Sequence, residues 1–312
     1  LRARQTATLC IMRHIHIEHE TRYVYDHDVV LAQHLAHLRP LKTPWQTVLT
    51  HRLNISPPVD ARSDQIDAFG NTRTFFSLTT PHRELTVNSD SRVDKRARYT
   101  NFDPTQTPAW NDLQAEMTYG LDQPFVAASE FIWPSPFVPW LAELKDYALP
   151  SFPAGRPIGS AALALCQRIY QDFTYASGST EIHTPLSQAF ANRHGVCQDF
   201  SHIMLGCLRS VGLAARYVSG YLLTTPPPGQ ERLRGADASH AWVSVYCPGA
   251  PGQWLELDPT NQTIADTSHV LLAQGRDFGD VSPLRGVIQG GGTHTLEIAV
   301  TAQILDDDAL LT

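Results

Sequence analysis

The sequence predicts an α+β protein, with an antiparallel β module at the front and a second unit in which a helix-borne cysteine is followed by an antiparallel sheet. Three observations carry this. From His14 to Tyr25 the chain alternates at period two, and TVLTHRLNI, TRTFFSLTT and ELTVNSDSRV repeat that pattern before residue 100. From about residue 159 the apolar spacing becomes helical. After Gly212 it returns to strands, at ARYVSGYLL, HAWVSVY and WLELDPT, with a last alternating run from Leu296 to Ile304.

In chain order, residues 1–11 precede the first pattern and are expected to be an extension. Residues 12–100 form the β-rich module, read as a small sandwich, with turns at Pro57-Pro58 and Phe69-Gly70-Asn71. Residues 101–158 form a connector in which prolines at 124, 134, 136, 139, 150, 153 and 157 exclude a long helix. Its aromatics Phe125, Phe131, Trp133, Phe137 and Trp140 are expected to pack it against its neighbours, the competing use being a ligand groove. Residues 159–312 form the core together with the C-terminal strand. Here Ala162, Leu165, Cys166, Ile169, Tyr170 and Phe173 share one helix face. Thr184 before Pro185 reads as the cap of a short helix that stops at Gly195. A further helix carries Val196, Phe200, Ile203, Met204, Cys207, Leu208 and Val211 on one stripe and stops at Gly212.

At 312 residues, the chain suits one large domain or two ordinary ones, and 42% hydrophobic with 18% charged residues is a globular composition. With 24 basic and 31 acidic residues the net charge is −7, which predicts no general attraction to nucleic acid or anionic lipid. Charge and proline interrupt every apolar run short of the ~18 residues a membrane span needs, and the N-terminus lacks the apolar stretch of a signal peptide. Five cysteines, an odd number with no CxxC pair, argue for a reducing, cytoplasmic setting and a free thiol.

Cys197 is the candidate nucleophile. It lies in the first turn of a predicted helix, where unpaired N–H groups and the macrodipole favour a thiolate, and one position off the apolar stripe. The alternative is one more small core residue. His240 is the candidate base, against the plain reading of a histidine at a strand end. Asp258 is the candidate carboxylate. If VYCPGAPGQWLELDPT folds as a hairpin about Gly249, residues whose numbers add to 498 face each other, and His240 and Asp258 do so. Their Cβ atoms are then about 4.5–5.5 Å apart, and the carboxylate orients the imidazole. A turn role before Pro259 is the competing reading of Asp258, and Asp237 is the fallback carboxylate.

The stretch TPLSQAFANRHGVCQDFSHIMLGCLRSVGLAARYVSGYL closely resembles the core of bacterial and archaeal transglutaminase-like proteins. Gly195, Val196, Cys197, Asp199 and His202 match its G-V-C-x-D-x-x-H signature, and SHAWVSVY and WLELDPTN match its histidine and aspartate blocks. The tail from 275 to 300 and the DAFGN and PHRELTV phrases are similar to the C-terminal part and N-terminal β-domain of the same bacterial branch. The resemblance spans the chain from about residue 14. It implies a papain-like core, a Cys197–His240–Asp258 triad and cysteine-dependent acyl transfer on amide or peptide bonds of a protein or peptide substrate. Gln198 stands where animal transglutaminases carry tryptophan, so their amine-acceptor chemistry is not carried over; nor is calcium dependence, since no EF-hand loop is present.

The backbone N–H of Cys197 is the expected oxyanion donor, with Gln188 or Gln198 as side-chain candidates. Asp199 and His202 are assigned supporting roles around the site. Tyr217 and Tyr221 either line the cleft or pack in the core. His14, His16 and Glu18 share a strand face near His19, but without HExxH or zinc-finger spacing no metal is expected, and no cofactor either. The runner-up function is a non-catalytic protein-interaction module. Oligomeric state is not legible.

Overall fold

The computed structural model describes residues 12–118, 124–224 and 239–305. Five strands come first: β1 (Met12–Ala36), β2 (Gln46–Ser56), β3 (Ala61–Ile66), β4 (Thr72–Leu78) and β5 (His82–Arg96). The short helices α1 (Trp110–Met117) and α2 (Ala142–Ala148) lie in the proline-rich stretch, and α3 (Ile158–Asp172) follows. Next come β6 (Thr174–Tyr175), α4 (Leu186–Asn192), β7 (His194–Gly195) and α5 (Cys197–Ser210). A run of strands succeeds them: β8 (Ala215–Leu222), β9 (Ser239–Tyr246), β10 (Trp254–Asp258), β11 (Thr263–Ile264) and β12 (His269–Gly275). The one-turn helix α6 (Phe278–Val281) leads into β13 (Leu284–Gly290) and β14 (His294–Ile304).

The 25-residue β1 organises the first sheet. Its first half pairs with β5 and β14, its second half with β4 and β13, and its register with β5 breaks between Val24 and Val29. With β2 on β5 and β3 on β4, two layers share one strand. Their facing residues, among them Tyr25, Val29, Ala32, Phe76, Leu78, Leu85 and Val87, form a common apolar core. Alternation along β5 produces this directly, every second side chain from Leu85 being buried.

The C-terminal strand, grouped with the core on sequence, hydrogen-bonds instead to β1, in register from Ile15↔Ile304 to Tyr25↔His294. Alternation specifies a strand but not which sheet receives it. Tertiary packing decides: Val300 and Ala302 are buried with Ile15, Ile17 and Val93 on one side and Tyr221, Val270 and Leu272 on the other. β14 is thus a seam between the first sheet and the core.

The core sheet is antiparallel in the order β11-β10-β9-β8-β12. Helix α5 packs against it with Phe200, Ile203, Met204, Cys207 and Leu208, and is covered elsewhere too, so that every residue from Asp199 to Arg209 is buried. Sequence periodicity predicted a one-sided stripe. Part of the polar remainder is accommodated by specific bonds, such as Arg209 Nη2 to the Ala215 carbonyl at 2.9 Å. Gly212, at φ 77°, ends the helix as predicted.

Helix α4 begins one residue later than its predicted cap implies, because the Thr184 hydroxyl accepts the Glu181 N–H at 2.9 Å. It ends at Arg193 in left-handed conformation (φ 56°), before Gly195. In the connector Phe131 is buried, but Phe125 and Trp133 are 70% and 62% exposed and Trp140 is exposed as well, so the aromatic anchoring is partial. No helix among the described residues is long and apolar enough to cross a membrane.

Candidate active site

Local structure presents Cys197 at the first position of α5. Gly195 bridges Tyr175 in a parallel pair, and Val196 is extended (φ −111°, ψ −178°). Asp199 Oδ2 then accepts the Val196 N–H at 2.8 Å and the Thr180 hydroxyl at 2.6 Å, clamping the helix start to the preceding loop. A Cβ on Gly195 would lie 2.5 Å from that oxygen, so only glycine allows the clamp. The first intrahelical bond is Phe200 N–H to Val196 O, which leaves the Cys197 N–H without a helical acceptor. Cys197 is half-buried, unlike Cys166, Cys207 and Cys247. Burial pushes the thiols of Cys166 and Cys247 up to about 12, and that of Cys207 higher still, which makes them inert. Cys10 lies outside the described residues.

His240 is on β9 and Asp258 ends β10, but the predicted register is corrected. Tyr246 pairs with Trp254 and Val243 with Leu257, so paired numbers add to 500 rather than 498. The loop contains an extra turn, Pro251–Gln253, which moves its centre to residue 250. A shift of two residues keeps every side chain on its face. Asp258 is therefore diagonal to His240, and the side chains still meet: His240 Nε2 donates to Asp258 Oδ2 at 2.7 Å. Burial pulls the His240 pKa down, but hydrogen bonds to Asp258 and Cys197 and the charges of both outweigh it and raise the value to about 10. With Nε2 committed to the carboxylate, Nδ1 is the nitrogen left for the sulfur.

Asp258 is fully buried. Burial would raise its pKa, yet hydrogen bonds from His240, His269 and Asn261 hold it well below the usual carboxylate range. His269 Nε2 donates to Oδ2 at 3.1 Å and Asn261 Nδ2 at 2.7 Å, while Oδ1 accepts the Thr260 N–H at 2.9 Å. The Ser268 hydroxyl bonds His269 Nδ1 at 3.0 Å, which orients the ring with Nε2 toward the carboxylate. His269 and Asn261 were not singled out from sequence. Among 14 histidines His269 carries no motif, and only its place before the apolar run VLLA hinted at a buried ring.

The remaining sequence candidates divide. Gln198 and Tyr217 line the cleft, where the Gln198 amide donates to the Ile182 carbonyl at 3.0 Å. Gln188 is solvent-exposed on α4 and does not line the cleft, which corrects its reading as an oxyanion donor: the α4 face that packs on the core carries Leu186, Ala189 and Phe190 instead. His202 is buried between the rings of Phe137 and Tyr217, and its Nε2 accepts the Phe278 N–H at 3.2 Å. Burial, then Arg209, lowers its pKa to about 3, so it is neutral and ties α5 to α6. Tyr221 is buried against His19 at 2.9 Å. Asp237, and the loop 224–237 beyond its first residue, lie outside the described residues.

Cys197 and His240 open into a cleft of about 340 Å³. One wall belongs to the core (Val196, Gln198, Tyr217, Ala241); the other comes from β1 (His19, Thr21, Tyr23) and β14 (Leu296, Ile298). Two side-chain groups have metal-ligand spacing among the described residues: His240, Asp258 and His269, and on the first sheet His16, Glu18 and Asp90. In the first, both imidazoles already donate protons to the carboxylate, which an ion would have to displace. In the second, His16 bonds Asp90 at 2.9 Å, and neighbouring His14 bonds Asp94 at 2.6 Å.

Two family models match the sequence: the bacterial transglutaminase-like N-terminal region over residues 15–94, and the transglutaminase-like superfamily over residues 152–259. Uncharacterized proteins of Mycobacterium tuberculosis and Mycobacterium bovis are 40% identical over 297 residues, 94% of this chain and 94% of theirs. One from Mycobacterium leprae is 30% identical over 293 residues, 93% of this chain and 98% of its own. The crystal structure of a proposed cysteine protease from Cytophaga hutchinsonii superposes with a TM-score of 0.72, covering 96% of this chain and 92% of that one. At 21% identity that likeness is one of fold.

Proposed function

The chain belongs to the transglutaminase-like superfamily, and from that premise we propose that it is a cysteine-dependent acyl-transfer enzyme acting on amide or peptide bonds through Cys197, His240 and Asp258. The observation that carries this reading is the His240 ring, hydrogen-bonded to a buried carboxylate on one side and coupled to the Cys197 sulfur on the other. With its pKa raised to about 10, the ring is a cation at neutral pH, paired with that carboxylate and placed beside that sulfur.

In the proposed reaction the Cys197 sulfur attacks the substrate carbonyl carbon, and the Cys197 N–H stabilises the oxyanion. The C–N bond breaks as His240 gives its proton to the leaving amine, and a thioester remains on the sulfur. Water, deprotonated by His240, then attacks the thioester, releasing a carboxylic acid and restoring the thiol. Asp258 keeps the ring oriented throughout.

The test incubates a peptide library with the full chain, with and without a primary amine, and reads products by mass spectrometry. Hydrolysed peptides, absent with Cys197→Ala, are the expected result; amine-linked products would change the acceptor from water to amine. Iodoacetamide should label Cys197 faster than an unstructured thiol at mildly acidic pH. Labelling no faster than that, with full activity in Cys197→Ala, would abandon this nucleophile, and no product from the unaltered chain would favour a binding module.

A further inference from the structure

The cleft wall contributed by the first sheet has its own chemistry. Along β14 the side chains of Leu296, Ile298, Val300 and Ala302 share one face. Val300 and Ala302 are sealed into the seam with the core, whereas Leu296 and Ile298 are 43% and 55% exposed and line the cleft that holds Cys197 and His240. A buried apolar stripe thus continues into solvent in the cleft that holds the thiol. Single exposed leucines need no explanation, but two in line at a cleft mouth mark a contact surface.

Charge is arranged around this wall rather than in it. Among the described lining residues there is no Asp, Glu, Lys or Arg; Tyr175, Ile182 and Phe278 complete the apolar surroundings. The charged neighbours on the same strands, Arg22 and Glu297, alternate onto the opposite face, where they pair with each other at 3.1 Å. Apart from the His240 ring, already committed to Asp258, no lining residue offers a charge, so a charged side chain held against this wall would lose hydration with nothing beside it to replace it.

We propose that the N-terminal sheet and β14 form the acyl-donor subsite, selecting substrates whose residue on the carbonyl side of the scissile amide carries an apolar aliphatic or aromatic side chain, held against Leu296 and Ile298. This rests on the acyl-transfer reading. The acyl group is assigned to the cleft because it stays bonded to Cys197 Sγ through the thioester stage, whereas the amine leaves. A volume of about 340 Å³, at the small end for ligand sites, admits a short stretch of chain and no folded surface.

The test measures p-nitroaniline release from N-acetyl-X-p-nitroanilides, with X as Leu, Phe, Glu or Lys, by the full chain and by a Leu296→Asp/Ile298→Asp variant. The kcat/KM for Leu and Phe is expected to exceed that for Glu and Lys at least about tenfold. The variant should shrink this preference about tenfold, mainly through KM for the apolar substrates, at an unchanged Tm because both positions are exposed. Cys197-dependent turnover that prefers Glu or Lys, or a preference unchanged in the variant, overturns the subsite and leaves acyl transfer standing. No turnover of any substrate, with no acyl adduct on Cys197 by mass spectrometry, overturns acyl transfer and the subsite with it.

Discussion

Asp258 is the residue on which the candidate site converges, since both of its oxygens accept hydrogen bonds and two imidazoles share Oδ2. Each donor lowers its pKa, so removing one should move that pKa back up. His269→Phe is expected to shift the acid limb of the kcat–pH profile to higher pH and cost about tenfold in kcat, the loss of one hydrogen bond to a charged group. His269→Gln, whose amide nitrogen reaches the place of Nε2, should restore both; an equal loss in both variants would reduce His269 to a packing role. The sequence located His240 and Asp258 from a hairpin register that was off by two. The pairing survived because β-structure repeats every two residues, so the error preserved the face. His269 had no such handle: β12 lies at the far side of β8 from β9, and nothing local brings it to Asp258.

Helix α5 shows how an element delivers a reactive group. Its start is held by the Asp199 carboxylate on the Val196 N–H and the Thr180 hydroxyl, and its end by Gly212. Asp199→Ala should therefore lower unfolding stability by about 1 kcal/mol in urea titrations, as loss of a helix cap does. It should also slow iodoacetamide labelling of Cys197, because the frayed first turn no longer fixes the thiol against His240; wild-type labelling at wild-type stability would remove Asp199 from this role. Periodicity identified α5 and its C-terminal stop. It did not reveal that the helix is enclosed all round: off the apolar stripe, His202 is covered by Phe137 and Tyr217, and Arg209 bonds Ser135 and the carbonyls of Ala215 and Arg276, all from elsewhere in the chain.

Across the whole molecule, the first sheet is joined to the core through β14, and several histidines are buried by that assembly or within its parts. Desolvation lowers the pKa of His19, His34 and His51 to about 4, and that of His202 to about 3, from an ordinary 6.5. The unfolded chain therefore binds more protons between about pH 6.5 and 4, and stability should fall progressively as the pH drops through that window. His240 acts in the opposite sense: with its folded pKa raised to about 10, its contribution is complete below about 6.5 and fades as the pH rises toward 10. Urea-denaturation stabilities across pH 4–10 should show both slopes, and Asp258→Asn should flatten the alkaline one; a flat acid limb would mean that those histidines are not held neutral. The amino-acid sequence by itself determined the strand and helix pattern and the family, and named the candidate thiol, imidazole and carboxylate, because periodicity and short motifs are local. Only the tertiary structure decided that the last strand completes the first sheet, that His269 shares Asp258, and that Leu296 and Ile298 line the cleft that holds Cys197. The first and third of those relations join residues from about a hundred to nearly three hundred positions apart, and the second joins residues 11 apart on strands that β9 and β8 separate in the sheet. All follow from which faces find each other on folding rather than from any local preference of the backbone.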